Sequence, residues 1–552
     1  MKTIMIFAAA VLIALFAACG AQPEDEAPIS ALDILPDDVL FSMAIINPAI
    51  VISSLDLYGS GIPILGETAV SGWILSLLDC ADMAEVETKL GINIDGNLVF
   101  FMQSMMPQSI GAAMSVTDAD VFWTNIGLTP EAGEPLDGYE VSTIDVEFGN
   151  LYFCSTRGLL LGAGSRAGLQ SMLERIDGSL PASLPGIPDG SLYFYANVAS
   201  FGPIAASQLA MIRPQIIASM DTADGAEVEI TEKVLGMYFD IINLFLMETS
   251  SVDFVLSFES EFITGTSSVR FIPGSSLDQY IIPAEIDDMT GLVPAGNAIA
   301  ARISIDPLTS EVAMNAVFGA IGIEDIPREM VAFWSQCSRN TAMSMTSDPD
   351  NPMHIIAVYE MPEGAGLEQV HEVYDMQFSV MDNILDMPGL SFSEVQYAEL
   401  DGIEWVTFGM DMDMTALQPD VEDSAPLAQN VSWKAWLTVS DGILYVEMAE
   451  QPLTVPQLIA GTWQGETVGS MPAMRNISDS AEIAMMINVP EYLNMAMSMS
   501  GLEVPYIDAD PVWLEIEVDF TGGGVIKHFH VSGTGLAVFI GQAIQMFGAL
   551  SQ

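Results

Sequence analysis

Positive charge is what this chain has least of. Its 552 residues hold 14 Lys and Arg against 74 Asp and Glu, a formal net charge of −60. Such a surface repels nucleic acid and anionic lipid and favours cations or basic partners, so a nucleic-acid-binding role is excluded. It also repels itself. Salt screens that cost, since the Debye length shrinks to about 3 Å at 1 M, and a saline habitat explains the acidity more simply than a dedicated cation site. Histidine is scarce too, with His354, His371, His528 and His530 the full set. Four cysteines are too few for a disulfide framework in a chain this long. Beyond the N-terminus no eighteen-residue stretch is free of charge or strong polarity in the manner of a spanning helix. Gly-x-Ser-x-Gly, His-Glu-x-x-His and Walker motifs are absent. That argues against an enzyme, so no catalytic residue is assigned and no cofactor is expected.

What the N-terminus does have is an ordered signal. Lys2 supplies a positive start, and Ile4 to Phe16 form an apolar run too short for a typical membrane span. Ala17 and Ala18 then precede Cys19. This order resembles the lipobox of bacterial lipoproteins, with Phe16 where that motif usually has Leu, Val or Ile. The resemblance implies a signal peptide over 1–18, cleavage before Cys19 and acylation of that residue. Each buried methylene contributes about 0.8 kcal/mol, so several acyl chains would hold the protein on a bilayer. The competing reading is an ordinary secretory signal with an incidental cysteine. Gly20 stands where inner-membrane retention would favour Asp, which directs the expectation to the outer membrane or cell surface. Residues 19–30 are then a lipidated acidic tether, polar and bracketed by Pro23 and Pro28.

The body reads twice. "ILPDDVLFSMAIINPAIVISS" near Leu35 is echoed by "LVPAGNAIAARISIDPLTSEVAM" near Leu292. Four more echoes follow in the same order, beginning near Asn97 and Asn340, Leu136 and Leu400, Phe148 and Ser440, and Ile187 and Ile477. The sixth pairs "VDFVLSFESEF" with "VWLEIEVDFTG". Six ordered correspondences imply an internal duplication, with lobes at about 31–285 and 286–552. Strands such as "VLFSMAII" and "AEIAMMINV" are apolar throughout and so are expected to bury both faces. Leu514, Ile516, Val518 and Phe520 alternate with acids, describing a strand with one wet face. Helices read as few, the clearest near 231–248, 310–321 and 534–549. The fold class expected is α+β, two similar tandem lobes with largely antiparallel sheets and interspersed helices. The pattern resembles a group of uncharacterised exported bacterial proteins that repeat a Leu-Pro-x-Asp turn, a strand and a helix. That resemblance implies no activity.

Candidate sites each have a plain structural competitor. Gly162, Gly164 and Ala167 in "LLLGAGSRAGLQSML" match dinucleotide-fingerprint spacing, but the preceding chain reads as a hairpin, so a strand-to-helix turn is the better account. His528 and His530 would share one strand face and could ligate a metal with Glu515 and Glu517 opposite; cross-strand charge pairing is the simpler account. Methionines at 410, 412 and 414, and at 495, 497 and 499, read as core filler ahead of a soft-metal site. Apolar, Met-rich walls could also line a cavity for a hydrophobic ligand. Asp411 with Asp413, or Asp348 with Asp350, lack the spacing of an EF-hand loop. Asp-Gly pairs at Asp137, Asp189, Asp224, Asp401 and Asp441 read as turns. One bridge between Cys80 and Cys154 is possible; separate buried thiols, with Cys337, are the alternative. The expected function is a membrane-tethered, non-catalytic binding or structural module. A carrier or receptor for a hydrophobic ligand is the alternative, and a hydrolase with dispersed residues comes third. The expected partners are the membrane, through acyl chains on Cys19, and a protein or hydrophobic ligand.

Overall fold

The computed structural model describes residues 31–36, 39–62, 69–104, 106–146, 149–178, 190–220, 225–320, 326–348, 351–384, 390–412, 431–499 and 506–550. Cys19 and the expected signal and tether lie outside them. The fold is α+β, with 38% helix and 34% strand. Helix is therefore not the minor component that the sequence suggests. Contacts group the chain into two compact units. The first draws on the chain up to Pro203, then Thr249–Arg270 and Ser532–Ile544; the second on Ile204–Glu248, Phe271–Val531 and the chain from Gln545. Residues 204–248, 271–285 and 532–544 thus group across the cut anticipated at 285/286.

The first unit is built on β1 (Phe41–Ile46), β2 (Leu98–Met102), β3 (Ile110–Ser115), β4 (Glu131–Ala132), β5 (Ser142–Val146), β6 (Gly149–Thr156), β7 (Leu159–Ala163), β8 (Ser191–Ala196), β9 (Thr249–Phe258) and β10 (Phe262–Phe271). Their spatial order is β10-β9-β8-β1-β2-β3-β7-β6-β5-β4. Helices α1 (Pro48–Gly59), α2 (Ala119–Asn125) and α3 (Arg166–Ile176) follow β1, β3 and β7. Each start is written locally. Asn47 caps α1 by accepting from the Ile50 amide with Pro48 in the first turn, Asp118 caps α2, and Ser165 caps α3 from the Gly168 amide. Alternate residues of the central strands reach opposite faces. Leu159 and Leu161 join Val99, Phe101 and Met172 in one core, while Leu160 joins Ile74, Ile94 and Phe122 in another. The uninterrupted apolar runs are buried from both sides for this reason.

The second unit uses β11 (Ile299–Ile303), β12 (Thr341–Asp348), β13 (Asn351–Glu360), β14 (Leu390–Phe392), β15 (Gln396–Leu400), β16 (Ile403–Met412), β17 (Val431–Ser440), β18 (Ile443–Met448), β19 (Ile483–Asn488), β20 (Trp513–Thr521) and β21 (Gly524–Ser532). Their order is β21-β20-β19-β11-β12-β13-β18-β17-β16, with β14 and β15 both on the far side of β16. Strand for strand this is the order of the first unit. Even single hydrogen bonds recur: the Asn197 amide donates to the Leu40 carbonyl at 2.9 Å, and the Asn488 amide to the Ala298 carbonyl at 2.8 Å. Trp405, Trp436, Ile356 and Met486 fill one face, and Phe333, Val370, Leu437 and Val446 the other. The hairpin turns at Asp137-Gly138, Asp401-Gly402 and Asp441-Gly442 have positive φ at both residues, the geometry that Asp-Gly supplies. Asp189 and Asp224 lie outside the described residues.

Candidate interaction surface

The structure separates most of the candidate residues. His528 stands opposite Glu517 and His530 opposite Glu515 across β20 and β21. Nδ1 of His530 lies 3.2 Å from Oε2 of Glu515. Among the described residues no three His, Cys, Asp or Glu side chains form a group that could hold a metal. The first unit puts Asp253 at the same ladder position, opposite Tyr195, as Glu515 has opposite Met486. Burial raises the pKa of Asp253, and the Arg270 charge and a Ser268 hydrogen bond work against that rise. Paired charge on a sheet face is thus a feature of both units.

Gly162 lies in β7, an interior antiparallel strand, Gly164 just past its end and Ala167 in α3. A Cβ at Gly162 would meet the Phe153 ring at 2.8 Å, so this glycine makes room for packing, not for a phosphate. Met410 and Met412 belong to β16, with Met414 outside the described residues, and Met495 is buried. Asp411 pairs in register with Ser432, and Asp348 closes β12; Asp413 and Asp350 lie outside the described residues. Cys80, Cys154 and Cys337 are free thiols, so no bridge joins Cys80 to Cys154. Burial pushes the Cys154 thiol up to about 11 and, with help from Glu360, that of Cys337 to about 12.

Two cavities stand out. In the first unit a partly open cleft of about 620 Å³ is lined by α2, the 127–130 turn, the polar side chains of Glu140, Ser142 and Ser155, and the β6 and β7 residues Phe153, Cys154 and Leu160, so its lining is more polar than apolar. Trp123 and Phe153 form its aromatic wall, ring edge to face at 4.7 Å. In the second unit a cleft of about 800 Å³ is bordered by Glu329, Glu368, Glu372 and Asp375. It is acidic, and none of its described lining residues is basic.

A buried carboxylate organises part of the second unit. Glu447, 1% exposed, accepts from Nε2 of His354 at 3.0 Å and from the amides of Leu453, Thr454 and Val455 at 2.8–3.2 Å. Burial alone would raise its pKa; the hydrogen bonds from His354 and the amides overcome that and lower it. The arrangement fixes the 449–455 loop on β18.

The feature without a structural explanation is apolar and helical. Two long helices, α4 (Val198–Met220) and α5 (Gly225–Glu248), connect β8 to β9. From Ile204 onward α4 belongs to the second unit together with α5. They meet through Arg213, which donates to Asp240 at 2.7 Å and lies 5.8 Å from the Phe239 ring centre. Burial is thin. Among the positions of α5 from 235 to 248 whose burial is described, Gly236 and Phe239 alone are buried, and positions 240–245 are exposed one after another. Tyr238, Ile241, Ile242, Leu244, Phe245 and Met247 on α5 are all exposed, as are Ile204, Met211 and Ile212 on α4. Soluble surfaces scatter single apolar side chains; nine on one helical pair form a patch of the kind that marks an interaction site. Sequence reading missed it, because an apolar helix ordinarily signals core. The available clue was the near absence of charge across 204–216 and 235–247 in an otherwise acidic chain.

No family model matches the chain, and no curated protein matches it significantly. Among solved structures, crystal forms of the Treponema protein TP0453 align with it. Form I is 10% identical, with a TM-score of 0.23 over 48% of this chain and 83% of that one; form III is 9% identical, with 0.23 over 46% and 98%. Likeness at that score carries no argument about either fold or function.

Proposed function

We propose that this is an exported lipoprotein, held on the outer membrane or cell surface by acyl chains on Cys19, whose duplicated α+β body is a non-catalytic binding module. The observation that carries the binding role is the exposed apolar surface of α4 and α5. Leaving such side chains in water forgoes about 1.5–3 kcal/mol for each one that could be fully buried, and folding recovers that wherever it can. A patch left bare by the fold is available to something else. The acidic remainder of the surface keeps the chain soluble. The anchor is tested by labelling cells with a fatty-acid probe: label is expected on the native chain and none on Cys19→Ser. Equal labelling of both would reject it.

A second reading has its own observation. The Trp123–Phe153 cleft, at about 620 Å³, falls within the size range of small-ligand sites. A carrier of hydrophobic molecules would bind a fatty acid there. Titration with a fluorescent fatty acid should then saturate at one site and fail in Trp123→Ala. Binding that survives Trp123→Ala would point away from this cleft.

A further inference from the structure

We infer that the exposed apolar surface of α5, with the adjoining side chains of α4, rests in the interfacial layer of the bilayer that carries the acyl anchor. This rests on the anchored reading above and adds a second, non-covalent attachment. Three observations favour lipid over a protein occupant.

The first is angular. At 100° per residue, Met247, Leu244, Ile241, Phe245, Tyr238 and Ile242 spread over an arc of roughly 220° around α5. An amphipathic helix packed on protein typically presents an apolar stripe of about 100° or more, so an arc of this width is broad for a single docked face. Fluid acyl chains can cover the whole arc, because they conform to any outline. The second is charge. Acidic residues make up about one in seven of the chain, yet across 204–216 and 235–247 the only ionisable charges are Arg213 and Asp240, joined at 2.7 Å. That surface is net neutral, which suits uncharged lipid. A second copy approaching it would bring another formal −60. The third is confinement. Residues 20–30 can span at most about 36–40 Å, so the acyl anchor would keep the start of the described body close to the membrane, and a weak surface affinity becomes effectively intramolecular. Among the described residues no helix is long and apolar enough to cross a membrane, so the contact is interfacial and not a span.

The test uses the full chain, purified from cells and bound to phosphatidylcholine vesicles. In a Cys80→Ser background the other body thiols, Cys154 and Cys337, are buried, so a dye directed to Leu244→Cys labels one place. Leu453→Cys, exposed in the same unit, is the control. The expected result is a blue shift and at least threefold stronger quenching by lipids brominated near the headgroup at 244 than at 453, abolished by adding Ile241→Asp with Phe245→Asp. Equal, water-like behaviour of both dyes on chains that have bound vesicles overturns the inference. So does coupling between dyes at 244 on separate copies in the absence of lipid, which would mark a self-association surface. The anchor is scored independently by the fatty-acid label on Cys19: quenching at 244 in a native chain that carries no label removes the acyl reading and keeps this one, and a labelled chain bound to vesicles without quenching at 244 does the reverse.

Discussion

Removing the Glu447 carboxylate should unfasten one corner of the second unit, and the size of the effect can be worked from its contacts. Glu447 is opposite Trp436 on β17 and Ile356 on β13, and its oxygens take hydrogen bonds from three consecutive amides and from His354. Hydrogen bonds to a charged group contribute about 1.5–3 kcal/mol each, but they are not additive here because one segment supplies three of them. Breaking a buried charged network by removing one partner costs about 3–5 kcal/mol. Glu447→Ala is therefore expected to lose about 3–5 kcal/mol, and Glu447→Gln at least about 2 kcal/mol, since an amide NH₂ would confront amide donors. Urea unfolding followed by tryptophan emission is the assay, because Trp436 stacks edge to face on Trp405 at 6.0 Å and both report on this core. The pH dependence supplies a second check. A carboxylate with a depressed pKa in the folded state stabilises fully above its ordinary value of 4.5, and that stabilisation is lost as pH falls through the folded value. The gap between native and Glu447→Gln chains should accordingly narrow below pH 4.5. A loss under about 1 kcal/mol for Glu447→Ala, or a gap constant down to pH 3, would show that the carboxylate is not the fastener argued here.

Other consequences are simpler to measure. A Cβ at Gly111 would lie 2.1 Å from the tip of the Phe101 ring, which is buried in the first core, so Gly111→Ala should destabilise by about 1–3 kcal/mol or more in a melting experiment. Iodoacetamide at neutral pH should modify Cys80 well before Cys154 and Cys337, whose thiols are buried and pushed up to about 11 and 12; mass spectrometry of partially labelled chain reads the order. His530→Ala should cost under about 1 kcal/mol, because the ring is 36% exposed, and zinc should leave the melting temperature of the native chain unchanged. A rise in melting temperature with zinc, lost in His530→Ala, would restore the metal reading of His528 and His530.

Much of the architecture was legible because it is written in local chemistry. Five of the six ordered echoes fall on equivalent ladder positions, with β1 and β11, the β2–β3 and β12–β13 pairs, and β8 and β19 among them; the fourth is offset by a strand, since Phe148 precedes β6 whereas Ser440 ends β17. Asp-Gly pairs announced hairpin turns because few other residues accept positive φ at both central positions. The helices anticipated near 231–248, 310–321 and 534–549 are parts of Gly225–Glu248, Pro307–Ala320 and Gly533–Leu550. Several others escaped notice. Val198–Met220 carries two internal prolines, Pro203 and Pro214, which discourage a continuous helix on propensity alone. Leu367–Ile384 mixes apolar and acidic residues, and its amphipathic period is less conspicuous than the strand alternation around it. The contact surface was illegible for a different reason. Periodicity reveals which residues are apolar but not whether anything is present to cover them. Ile241 and Phe245 read like core residues, and only the three-dimensional arrangement shows them bare.

Extreme acidity and a bare apolar surface look contradictory, yet each makes the other workable. Half burial of the six exposed α5 side chains would release about 5–9 kcal/mol, enough to drive copies together if nothing opposed it. The formal charge of −60 opposes it, because two copies meeting through their neutral surfaces still bring their acidic remainders within a Debye length at low salt, about 30 Å at 0.01 M. An uncharged bilayer raises no such objection. On the proposed membrane reading, charge would act as the selector: it would penalise self-association and leave attachment to uncharged lipid unpenalised, although both would cover the same side chains. The selection weakens as salt shortens the Debye length to about 3 Å at 1 M, where the apolar term acts almost unopposed. The proposed preference for lipid over a second copy would thus hold at low ionic strength and fade in the saline habitat that the acidity itself suggests, where apolar burial alone would hold either partner.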